Sequence, residues 1–178
     1  MLTITIPAVE SFNDKTSEFT SSKEQVLNLE HSLVSLSKWE SKWQKAFLSK
    51  EEKTTEQTLD YIRCMTLTQN VDPSIYEYIP SDEIERIRVY IENPMTATTI
   101  NDRGTPNREV VTAELIYYWM ITLNIPFECQ KWHLNRLLML INVCNIKSGK
   151  PKKMGRQELN SRNAALNAAR RKKLNSRG

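Results

Sequence analysis

Apolar and polar positions change period several times along the 178 residues, and each change marks an element. LTITI at 2–6 alternates with β-branched residues and predicts a strand ending at Pro7. Residues 8–24 are rich in Ser, Thr and Glu and read as a loop. EQVLNLEHS at 24–32 alternates again and predicts a second strand, antiparallel to the first. From Leu33 the spacing becomes three or four, placing Leu33, Leu36, Trp39, Trp43 and Phe47 on one helical face. TTEQTLDYIRCMTL predicts a helix near 54–68, started by Thr54 or Thr55 and lined by Leu59, Ile62 and Met65. Asp72-Pro73 breaks the chain. SDEIERIRVYIEN predicts a helix capped at Ser81, with acids in its first turn and an Ile84–Ile87–Ile91 stripe, ending at Asn93-Pro94.

MTATTI at 95–100 is a short β-like run, and NDRGTPN at 101–107 is turn-like. The segment at 108–124 is apolar nearly all round from Leu115 to Leu123, which predicts the central buried helix. After Pro126 a further helix carries Leu134, Leu137, Leu138 and Ile141 on one face; with its predecessor and a tight link it predicts an αα-hairpin. The expected fold is mainly α with a small N-terminal β element: a compact helical domain over 1–146 and a basic linker and helical arm over 147–178. The arm's large apolar residues are few (Leu159, Leu166 and Leu174), too few to bury by themselves.

Charge sharpens that division. Residues 147–178 hold eleven lysines and arginines against Glu158 alone, whereas 1–146 hold fourteen bases against twenty acids. An acidic body with a basic arm either folds on itself or offers the arm to a partner. The arm has no aromatic residue to stack on bases, so docking on an acidic or helical protein is preferred over nucleic acid, which stays open. Four glycines argue against Gly-rich nucleotide loops. No run of about 18 apolar residues suggests a membrane span, and the N-terminus does not read as a secretory signal.

Candidate chemistry is sparse. Cys64, Cys129 and Cys144 are too few and too scattered for a disulfide framework. Cys129 and His133 are four apart, but the spacing is not that of a zinc knuckle, and no motif supplies an oxyanion hole. His31 has no partner by spacing. No Walker loop, dinucleotide fingerprint, G-x-S-x-G or H-E-x-x-H occurs, so neither an enzyme nor a cofactor or metal is expected. The echo SKWESKW puts Trp39 and Trp43 one turn apart, with Lys38, Lys42 and Lys45 projecting elsewhere; the pair reads as core or as the wall of a protein-binding groove.

Three blocks resemble a known family as wholes: 32–66, 114–145 and KKMGRQELNSRNAALNAARRKKL at 152–174. They are similar to small helical proteins from the tail-gene region of long-tailed bacteriophages, most of all to tail assembly chaperones. The resemblance implies a non-enzymatic protein that binds the helical tape measure protein in the host cytoplasm. A neck or tail-completion component of the virion is the alternative, and homo-oligomers are compatible with either. Under this reading Trp39, Trp43, Tyr117, Tyr118 and Trp132 are the candidate groove residues, and Arg156, Arg162, Arg170, Arg171, Lys172 and Lys173 the candidate arm contacts.

Overall fold

A computed structural model describes residues 1–13, 18–100, 110–148 and 156–174. The chain is mainly helical, with a small antiparallel β element at its N-terminus, and it divides into two units, Met1–Cys144 and Asn145–Gly178.

In the first unit, β1 (Leu2–Ile6) pairs antiparallel with β4 (Gln25–Leu29), with Leu2 opposite Leu29. Alternation buries Ile4, Ile6, Leu27 and Leu29 and leaves the threonines outside. The expected loop at 8–24 instead contains β2 (Val9–Asn13) and β3 (Glu18–Ser22), paired with Val9 opposite Ser22. Both pairings follow one alignment, so the two sheets are successive halves of a single long hairpin. Pro7, which has no N–H to donate, sits at the break. Composition hid these strands; an established register extends pairing into segments of weak propensity.

Helix α1 (Leu33–Trp43) starts in a reciprocal cap: Ser35 N donates to Ser32 Oγ at 3.3 Å, and Ser32 N donates to Ser35 Oγ at 2.9 Å. It stops at Gln44, whose φ of 52° is left-handed, so Phe47 is carried back by the following loop rather than by the helix. Helix α2 (Thr55–Met65) is capped by Thr54 in the same reciprocal manner, through Gln57. Beyond it, Leu67 N donates to Asn28 O at 2.8 Å, stitching the chain to the edge of β4. A 3-10 turn at Pro73–Tyr78 leads to α3 (Ser81–Glu92). Its cap position is Pro80, without a side-chain capping bond, which corrects the cap expected at Ser81. Residues 95–100 form no strand, and the turn expected at 101–107 lies outside the described residues.

Helix α4 (Ala113–Thr122) is shorter than expected and is not the central helix. Only Ala113, Ile116 and Met120 are buried, one stripe facing α1, while Tyr118 and Ile121 on the other side are 60% and 61% exposed. The expected tight hairpin is opened by a 3-10 turn at Phe127–Lys131, and α5 (Leu134–Ser148) begins only at Leu134. The central element is α1. Leu33 and Leu36 enter a second core with Ile116, Met120, Leu134 and Leu137. Trp39 enters the first core, built on β1, β4, α2 and α3.

The second unit contains α6 (Arg156–Leu174), a 19-residue helix on which every side chain described is solvent-exposed.

Candidate functional site

Trp39 is 1% exposed, and its indole N–H donates to the Gln57 carbonyl at 2.9 Å. It is core and cannot wall a groove, which corrects its place among the binding candidates. Half-buried Trp43 donates from Nε1 to Asp60 Oδ2 at 2.8 Å, and the same carboxylate takes the Lys42 ammonium. An aromatic ladder runs inward from there: Trp43 to Trp39 at 6.2 Å, Trp39 to Phe47 at 5.0 Å edge-on, and Phe47 stacked on Tyr61 at 3.8 Å between centroids.

Tyr117 and Trp132 pack on the second core instead. The Tyr117 hydroxyl donates to Gln130 Oε1 at 2.8 Å, and the Arg136 guanidinium lies 4.3 Å from the Trp132 ring centroid. Four of the five aromatic candidates are therefore split between two cores, and the five do not form one groove. Tyr118 alone among them is largely open to solvent. Ile121 shares that open side of α4, and Phe127 is also exposed in the 3-10 turn that follows. The signal for this surface was present in the sequence: a helix apolar all round that needs only one stripe for its own core.

On α6 the side chains of Arg162, Arg170, Arg171, Lys172 and Lys173 are exposed, and four of these cations fall in its last turns. Arg156 opens the helix, and its side chain lies outside the described residues.

The polar interior lies between the two cores. His31 Nδ1 is 2.6 Å from the Tyr61 hydroxyl, and the rings of His31 and His133 meet edge-on at 5.1 Å. His133 Nε2 faces the Tyr90 carbonyl at 3.0 Å and therefore carries the proton; its buried Nδ1 has no hydrogen-bond partner among the described residues. Tyr90 in turn donates to Glu30 at 2.6 Å. Burial, with His133 adding to it, lowers the His31 pKa from 6.5 to about 3. Burial also lowers His133, against the pull of the Tyr90 carbonyl and Glu30.

Both imidazoles are thus neutral in the folded protein and take protons more readily when it unfolds. The contribution of His31 to stability is complete above pH 6.5 and is lost as pH falls toward about 3, and that of His133 is lost in the same direction. For His31 alone, going from pH 7 to pH 5 should remove about 2 kcal/mol. Urea titrations at the two pH values should show this loss, and His31→Gln should flatten the slope by close to one proton. An unchanged slope would mean His31 is already protonated in the fold.

Burial raises the Cys129 thiol, which is therefore protonated at neutral pH, and no hydrogen bond joins it to His133 among the described residues. Among the described residues no group of three His, Cys, Asp or Glu side chains converges on a metal position, and no helix is long and apolar enough to cross a membrane. No protein-family model, curated protein or solved structure matches the chain.

Proposed function

We propose that this protein is a non-enzymatic binding protein of phage tail morphogenesis, a tail assembly chaperone that holds the helical tape measure protein in the host cytoplasm. The observation that carries the reading is the open apolar side of α4, where Tyr118 and Ile121 face solvent from a helix whose opposite stripe is already buried. A tape measure protein is a long amphipathic helix that needs its apolar stripe covered until the tube assembles around it. The exposed basic helix α6 supports the same reading, since a 19-residue helix whose described side chains are all exposed gains stability by lying on a partner. The family resemblance of the three sequence blocks points the same way.

Co-expression with the tape measure protein tests it. Tyr118→Ser with Ile121→Ser should leave the fold within about 0.5 kcal/mol of the parent while the client precipitates. Reversing the charges of Arg170, Arg171, Lys172 and Lys173 should weaken co-purification. A client equally soluble with either variant defeats the proposal. Recovery of the protein in purified mature particles would favour the virion-component reading. Polynucleotide binding through α6 that falls by orders of magnitude from about 50 to 200 mM salt would favour nucleic acid.

A further inference from the structure

A second surface, on other elements of the first unit than α4, stands independently of the function proposed above. Helix α3 carries the stripe Ile84, Ile87 and Ile91, but the domain covers it unevenly: Ile87 is buried, Ile91 half-buried and Ile84 40% exposed. Across from it, α2 presents Thr58, Tyr61 and Ile62, which are neighbours on one helical face. Helices α2 and α3 are not closely packed on each other, and between them is an open cleft of about 240 Å³, with Phe47 at one end. Small-molecule sites usually run to about 300–1,000 Å³, so this one suits one or two side chains rather than a cofactor.

Its shape selects the occupant. Two facing helical stripes, one extending over two turns from Ile84 to Ile91, make a trough that accepts a third helix. Charge at the rim refines this. Lys53 has no carboxylate within ion-pair distance among the described residues. It makes only long contacts, at 3.4 and 3.2 Å, to the carbonyls of Ser49 and Glu51, with its ammonium 5.0 Å from the Phe47 ring centroid. Arg88 and Glu92, the other charged rim residues, already face each other at 3.3 Å. The rim therefore has one cation to satisfy.

We propose that the trough between α2 and α3 docks an amphipathic helix of a partner protein, which buries a leucine-sized side chain against Ile84 and Ile87 and sets a carboxylate on Lys53. The test uses three alanine-based helical peptides of about 16 residues, long enough to be helical. One carries a Leu pair at i, i+3 with a neighbouring Glu, one the same Leu pair with Lys, and one Ala throughout. They are titrated into the full-length ¹⁵N-labelled protein. The Leu/Glu peptide should move amides of residues 53–62 and 84–92 and bind about tenfold more tightly than the other two. Ile84→Asp, at a partly open position, should abolish those shifts with the rest of the spectrum unchanged. Lys53→Glu should reverse the preference so that the Leu/Lys peptide binds better. No shifts at ~1 mM peptide, shifts confined to α4, or an unreversed preference overturns the proposal. So do concentration-dependent shifts of the same amides without peptide, which would make a second copy of the chain the occupant.

Discussion

Trp39→Ala should cost about 3–5 kcal/mol, the largest single loss expected in this protein. The indole is fully buried, lies between the rings of Trp43 and Phe47, and donates its N–H to the Gln57 carbonyl. Truncation opens a cavity in the middle of a row of rings. The row cannot close over it, because Phe47 is stacked on Tyr61 and Trp43 is tied to Asp60. Trp39→Phe keeps most of the volume and loses the hydrogen bond, so it should cost about 1–2 kcal/mol. Denaturant midpoints with an unchanged m-value measure both. If alanine costs no more than phenylalanine, the ring is not packed as described.

Glu40→Ala should cost about 3 kcal/mol, by a different route. Its buried carboxylate accepts Phe47 N–H at 2.8 Å through Oε1 and Ala113 N–H at 2.7 Å through Oε2. One side chain thus fixes both the loop that returns Phe47 to the core and the first turn of α4, where the helix dipole favours negative charge. Burial raises the Glu40 carboxyl, and these two backbone donors pull it back. Alanine leaves both amides unpaired. Glu40→Gln restores one acceptor but turns an N–H₂ toward the other amide, so it should recover only part of the loss. Hydrogen exchange should quicken at Phe47 and Ala113 in both variants. A change below about 1 kcal/mol for alanine would mean that water replaces the carboxylate without cost.

The elements legible in the sequence were those whose local pattern matched their burial. Ile4, Ile6, Leu27 and Leu29 alternate in sequence and alternate in the fold, and the cap expected at Thr54 or Thr55 is Thr54. Where a residue's environment depends on distant chain, the pattern was silent or misleading. Trp39 and Trp43 share a helical face with Leu33 and Leu36, yet tryptophans and leucines enter different cores, because α1 lies between them. Four of the five aromatic candidates consequently fell on two cores. In α4 an all-round apolar helix reads the same whether it is enclosed or half open. Ile84 likewise looks identical to Ile87 in sequence, and both line the cleft between α2 and α3, yet only Ile84 is open to solvent. Nothing local marks Glu40 as a clamp, since Ala113 lies 73 residues further on.

The way α1 is shared has a bearing on the order in which the chain is made. Every member of the first core, from Ile4 to Tyr90, precedes α4 in the chain and so leaves the ribosome before it. That core can therefore close while translation is still in progress. It then holds α1 in place with Leu33 and Leu36 uncovered, a preformed seat on which the later helices settle as they emerge.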